Sequence, residues 1–260
     1  MPAVPDKITV GDGDAARAIA VRRRPGKAPG IFWLGGFMSD MQGTKARALD
    51  DWAATSGHAC TRFDYSGHGE SGGQLADGTI SRWLEEAAAV FARTEGPQIA
   101  VGSSMGGWIA LLLTQVRRAT GADPRIAGLV LIAPAVDMTE ALIRNKFSKA
   151  ARQEIEKTGI YRQPSEYSDE PYPITRALIE DGRKHLFGER PIETGCPVHI
   201  IQGMRDTDVP PEHARKLLSH LASDDALLTL VKDGDHRLSR PEDLLLLTRA
   251  IEGLIAEAAG

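Results

Sequence analysis

One pentapeptide in this 260-residue chain carries residue types at a spacing that chemistry can use. Gly102-Ser103-Ser104-Met105-Gly106 fits G-x-S-x-G. A serine hydroxyl is a weak nucleophile until a neighbouring base takes its proton. The turn that this pattern makes lifts its central serine clear of a strand end, at the start of a helix. There the helix dipole and the first amides stabilise a developing oxyanion. Ser104 is therefore the expected nucleophile, and the Met105 amide one expected oxyanion donor. Ser103 lies one position too early to sit at the tip. Small residues cluster in many turns, so the weight comes from context. An apolar run, Gln98 to Val101, precedes the pentapeptide, and a helical run, Met105 to Thr120, follows it.

A base and an acid must complete such a site. Seven histidines compete for the first role. His199 lies inside a strand-like run, His213 and His220 on a helix, His58 before a strand, His68 in a Gly-rich loop and His185 in a charged segment. His236 follows the last apolar strand in Asp233-Gly234-Asp235-His236, a turn-rich loop on the same sheet edge as Ser104, and it is the expected base. The acid has three candidates. Asp206 follows the run Val198 to Ile201, Asp208 is two residues later, and Asp137 follows Ala133-Pro134-Ala135-Val136. Asp206 is favoured by its place after the penultimate core strand, Asp208 is expected to cap the helix that starts at Pro210-Pro211, and Asp137 is the runner-up.

The second oxyanion donor is expected from Gly35-Gly36-Phe37-Met38, where two glycines precede an exposed amide, that of Phe37. Met38, Trp108 and Phe147 are the expected apolar walls of an acyl site, with Phe37 and Met105 beside them. No H-E-x-x-H and no clustered Cys/His set is present, so no metal is expected. The loop Gly67-His68-Gly69 lacks the Lys and Ser/Thr of a phosphate-binding loop, and no cofactor is expected either.

These residues need a frame, and the chain supplies one. Lys7 to Val10 and Ala16 to Arg24 can pair as a hairpin across Gly11–Gly13. Then apolar runs alternate with amphipathic ones: Ile31 to Leu34, Thr44 to Ser56, Ala59 to Phe63, Thr79 to Thr94, Gln98 to Val101, Met105 to Thr120 and Ala127 to Ile132. Such alternation predicts an α/β fold, a mostly parallel twisted sheet of about eight strands with helices on both faces. It breaks from 137 to 191, where no convincing strand is visible and Pro164, Pro171 and Pro173 interrupt. It resumes with Val198 to Ile201, Glu212 to Leu221, Leu227 to Val231 and Asp243 to Ala258. An insertion between strands of an open sheet sits at the carboxyl edge, where ligands bind. Residues 1–260 are expected to form one domain, with 137–191 as its lid. The lid is rich in arginine and lysine, partly offset by Glu154, Glu156, Glu166, Asp169 and Glu170.

Bulk properties agree. A formal net charge of -4 with no long run of one sign gives no reason to expect nucleic acid as a partner. The two cysteines, Cys60 and Cys196, sit in or beside apolar runs and read as buried thiols. No apolar stretch is long enough to span a bilayer, and residues 1–10 show neither a secretory nor a transit-like pattern. A cytoplasmic enzyme acting on a small acyl ester or S-acylated substrate is the expectation; the oligomeric state is not legible.

Several segments resemble one branch of the α/β-hydrolases, the mitochondrial abhydrolase-domain palmitoyl-protein thioesterases, also described as acyl-glucuronide esterases. The likeness lies in Gly57 to Gly67, Gly96 to Trp108, Gly43-Thr44-Lys45-Ala46, Gly203-Met204-Arg205-Asp206, Val209-Pro210 and Asp235-His236-Arg237. It runs from about Pro29 to the C-terminal helix and is weakest in the lid. It implies hydrolysis of acyl thioesters or esters, a Ser104–Asp206–His236 triad and no cofactor. Without a transit-like leader, a bacterial relative is expected. Gln202 stands where the branch commonly has His, a change expected to leave the chemistry untouched. A non-catalytic binding protein on the same fold, and a C–C bond hydrolase or perhydrolase with the same triad, are the competing readings.

Overall fold

The central strands are apolar along their whole length, as strands covered on both faces must be. In this computed structural model, which describes residues 5–119, 121, 125–164, 171–222 and 225–258, they form one eight-stranded sheet. The elements in chain order are β1 (Asp6–Val10), β2 (Arg17–Arg24), β3 (Lys27–Leu34), α1 (Thr44–Ser56), β4 (His58–Phe63), α2 (Ile80–Phe91), β5 (Gln98–Ser103), α3 (Met105–Ala119) and β6 (Ile126–Ile132). Then follow α4 (Lys149–Thr158), β7 (Ile160–Gln163), β8 (Tyr172–Thr175), α5 (Arg176–Gly182), β9 (Val198–Gly203), α6 (Pro211–His220), β10 (Ala226–Val231) and α7 (Pro241–Ala258). The sheet order is β1-β2-β4-β3-β5-β6-β9-β10. The first two pairings are antiparallel and the rest parallel.

Side chains alternate across each strand and so feed two cores. Phe32, Leu34, Ala100, Leu129, Leu131 and Ile200 face one layer with α2, α3 and α6. Ile31, Trp33, Ile99, Val101, Val130, Ile132 and Ile201 face the other, with α1 and α7. Cys60 and Cys196 are free and buried, as their apolar neighbours imply. Among the described residues no helix is long and apolar enough to cross a membrane.

Two expectations need correction. The segment between β6 and β9 contains strands after all: β7 and β8 pair antiparallel, Ile160 opposite Thr175 and Arg162 opposite Pro173. Each belongs to a two-stranded sheet and so is an edge, where the missing N–H of Pro173 is tolerated. Asp208 caps no helix, for α6 starts after Pro210 with no side-chain cap. A cap at Asp208 would bond the amides of residues 210 and 211. Both are prolines and have none. Thr120, Glu166, Asp169 and Glu170 lie outside the described residues.

The tightest crossing in the fold is that of α3 over β3 and β5. A Cβ on Gly106 would stand 2.1 Å from the Leu34 carbonyl oxygen, and one on Gly102 would stand 2.4 Å from the Gly106 oxygen. Neither backbone can yield without moving a central strand. Gly106→Ala is expected to lower the unfolding free energy by about 3 kcal/mol or more. Gly57→Ala, at a left-handed helix end with open space around it, is expected to cost about 1 kcal/mol. Urea unfolding of both variants checks the ranking; equal losses would contradict it.

Candidate active site

Between β5 and α3 the chain turns at a single residue. Ser104 has φ 54, a left-handed value rare for a residue with a side chain. The surroundings hold it there. Its N–H donates to the Ile132 carbonyl at 2.9 Å, and its own carbonyl accepts from Gly107 at 2.9 Å and Ala135 at 3.1 Å. Of residues 101–110, Ser104 alone is not buried. Ser103 is buried at the end of β5. Met105 opens α3, and the first amides of a helix have no acceptor within it. Its side chain is fully buried, as is that of Trp108. Trp108 thus belongs to the core and not to the wall of a site. Its expected place in the wall of an acyl site fails because the elbow turns the first turns of α3 into the sheet, where residues 105–113 are all buried.

The turn after β3 comes close to this elbow. A Cβ on Gly36 would lie 3.4 Å from Ser104 Cβ. Ser39 closes the turn with two bonds to the Gly36 carbonyl, from its N–H at 3.2 Å and its hydroxyl at 2.8 Å. Phe37 and Met38 occupy the tip, with Met38 at φ 56. A turn closed in this way leaves the Phe37 amide outside its own hydrogen bond. Both side chains are half-buried. The Phe37 ring makes edge contacts with Trp83 and with Tyr172 of β8, each at 5.8 Å, and with His68 at 6.2 Å.

Asp206 and His236 meet. His236 Nδ1 lies 2.8 Å from Asp206 Oδ2, with the aspartate side chain fully buried and the imidazole 18% exposed. The carboxylate accepts three further bonds: from the Asp208 amide at 3.0 Å and the Val209 amide at 2.9 Å on Oδ1, and from Gln202 Nε2 at 3.1 Å on Oδ2. Four donors occupy its lone pairs. Gln202, expected to be neutral to the chemistry, therefore grips the acid itself. No local pattern in the sequence marks this contact, which spans the turn after β9. One ligand atom each from Asp206, Asp208 and His236 lies within 4.8 Å of the others. With the Asp206 lone pairs taken by N–H donors, the group reads as an acid–histidine pair beside an exposed aspartate, not as a cation site.

The runner-up acid has other work. Asp137, at φ 54, accepts from the amides of Phe187 at 2.9 Å and Gly188 at 2.8 Å. It ties the two ends of the insertion together. The other histidines have partners too: His58 meets the Pro29 carbonyl, His199 meets Thr229, and His185 meets Ser81 at 2.6 Å. Ser81 also binds Asp181 of α5 through its amide at 2.7 Å and its hydroxyl at 2.8 Å, which fixes the insertion to α2. Phe147 is half-buried against Tyr161 and lines a cavity of about 240 Å³ with Ile155, Ile179 and four arginines.

Residues 34–177 match the family model described as serine aminopeptidase, S33. The chain belongs to this family of α/β-hydrolases. The mitochondrial palmitoyl-protein thioesterase ABHD10 of Bos taurus is similar, with 36% identity over 239 residues, 91% of this chain and 76% of that one. A putative hydrolase from Agrobacterium vitis superposes with TM-score 0.94 at 52% identity over 98% of this chain and 100% of its own. Mouse ABHD10 does so with TM-score 0.85 at 33% identity, over 97% and 99%. The sheet and its helices are those of an α/β-hydrolase, and the resemblance seen in the sequence holds across nearly the whole chain.

His68 lies under the Phe37 ring, packed among Tyr65 and Trp83. Its Nδ1 donates to the Ser66 carbonyl at 3.1 Å, and its Nε2 is buried with no partner among the described residues. Burial pushes its pKa down to about 4. The unfolded chain takes up a proton on this residue near pH 6.5, and the folded one only near 4. Stability is therefore complete above pH 6.5 and is lost as pH falls from there toward 4. In His68→Gln this share of the acid loss should vanish. Urea midpoints of both proteins between pH 4 and 7 test it, and parallel curves would refute the assignment.

Proposed function

We propose that this protein hydrolyses acyl esters or acyl thioesters with Ser104 as nucleophile, His236 as general base and Asp206 as its orienting acid. The observation that carries the reading is the 2.8 Å bond between His236 Nδ1 and a fully buried Asp206 carboxylate. A carboxylate only accepts, so Nδ1 bears the proton and Nε2 of the neutral ring keeps its lone pair. Both the histidine loop and Ser104 stand at the carboxyl ends of parallel strands, the edge on which this fold family builds sites.

In this mechanism His236 Nε2 takes the Ser104 proton as Oγ attacks the acyl carbon. The carbonyl oxygen becomes an oxyanion held by the amides of Phe37 and Met105. The imidazolium returns its proton to the departing alcohol or thiol, leaving an acyl-serine. Water, deprotonated by the same nitrogen, then releases the acid and restores Ser104. Residues 137–191 serve as a lid, anchored by Asp181 on Ser81 and touching the oxyanion turn through Tyr172. Met38 and Phe147 line the acyl side. The similar proteins named as palmitoyl-protein thioesterases support the thioester half of the reading.

Ser104→Ala is expected to fold, to lose fluorophosphonate labelling and to lower kcat by about 10⁴ or more, whereas Ser103→Ala keeps most activity. Asp206→Asn should cost roughly 10³ to 10⁴ in kcat through the wrong tautomer. Reversed phenotypes for the two serines would place the elbow one residue off. With acyl chains of increasing length, offered as p-nitrophenyl esters and as thioesters, kcat/KM should rise about fourfold per methylene until the site is full. Absence of thioester cleavage at every length would leave a plain carboxylesterase.

A further inference from the structure

The segment Gly43-Thr44-Lys45-Ala46 has no part in the mechanism above, yet one of its side chains reaches the histidine loop. Lys45 stands in the first turn of α1, where a cation opposes the helix dipole. Helix stability therefore gives no reason for it. Its ammonium donates to the carbonyl of Arg237, the residue after His236, and to Ser239 Oγ at 3.4 Å. Other restraints on this loop come from the segment after β9 and from the loop's own flanks. Arg205 N–H donates to the Gly234 carbonyl at 2.9 Å, and Arg240 joins Asp233 to Asp243 at the start of α7. Lys45 instead comes from the element that follows the turn bearing Phe37. The charged groups facing it are Asp235 and Asp243, which favour its charge, and Arg237, which opposes it. Burial outweighs them and pushes its pKa down to about 8.

We propose that Lys45 is a positioning residue, a strut that holds the loop after His236 at a fixed distance from the oxyanion turn. The proposal rests on the Ser104–His236–Asp206 reading. The strut acts on the geometry of proton transfer and not on substrate affinity, so its loss should appear in kcat. A shift of the imidazole by about 1 Å can cost on the order of a hundredfold.

The test compares wild type, Lys45→Met, Lys45→Arg and Ser104→Ala as full chains on one p-nitrophenyl acyl ester, with thermal melts and fluorophosphonate labelling rates. Lys45→Met is expected to melt within a few degrees of wild type. Its kcat and labelling rate should both fall, by about 10-fold to 100-fold, with KM changed by less than about twofold. Lys45→Arg, which keeps a charged donor, should regain most of that loss. Wild-type kcat should decline above about pH 8 as Lys45 loses its proton, a limb that Lys45→Met should lack. If Lys45→Met melts early, Lys45→Ala carries the same comparison, because it too removes the donor. An unchanged kcat, a loss confined to KM, no recovery in Lys45→Arg, or an alkaline limb that persists in Lys45→Met would each overturn the proposal. Activity surviving in Ser104→Ala would instead overturn the triad beneath it.

Discussion

A helix can cross a strand end as closely as α3 crosses β3 and β5 only where no Cβ stands between them. Gly102 and Gly106 meet that condition, with backbone oxygens where side chains would be. The close crossing forces the chain to reverse direction at one residue, and Ser104 takes the left-handed conformation that the reversal requires. Its cost, about 1–2 kcal/mol for a residue with a side chain, is offset by three backbone hydrogen bonds, two of them to β6 and the segment after it. The half-buried serine at the tip and the nearness of the Gly36 turn both follow from that one crossing.

The acid end of the site is built on the opposite principle, saturation in place of exposure. Asp206 is enclosed by two loop amides, Gln202 and His236. Each donor fixes a direction as well as a distance, so the carboxylate cannot rotate without breaking several bonds at once. That rigidity passes to the imidazole through Nδ1. Gly203 lets the histidine loop pass directly over the end of β9, where a Cβ would stand 2.5 Å from the Gly234 and Asp235 carbonyls.

Much of this arrangement was legible from residue types. The two-residue alternation in Ile31 to Leu34 and Ile99 to Val101 divides cleanly between the two cores, and Thr44–Ser56 is a helix over the whole expected span. Ser104 stood out by its motif between a strand and a helix, and the pairing of His236 with Asp206 and not Asp137 or Asp208 matches their order along the chain. What escaped depends on contacts that periodicity does not encode. β7 and β8 are four residues each, too short for an alternation to stand out, and one contains proline. The Trp108 position reads as apolar in any case, and only the direction of the elbow decides whether it faces a ligand or the sheet. Gln202 and Lys45 act across loops and across 192 residues, respectively, distances at which local pattern is silent.

In the proposed mechanism Phe37 joins two duties in one residue. Its amide needs nothing from the side chain, and any residue other than proline could supply it. Its ring, however, is the junction at which Tyr172 of the insertion, Trp83 of α2 and His68 of the glycine loop meet. Enlarging the proposed acyl site by trimming this ring would also loosen Tyr172 of the insertion and open a gap beside a neutral imidazole. In the proposed acyl site, redesign of chain-length preference therefore has more freedom at Met38, half-buried at the tip of the turn, than at Phe147, which packs with Phe37 and Tyr172 against the same buried isoleucines.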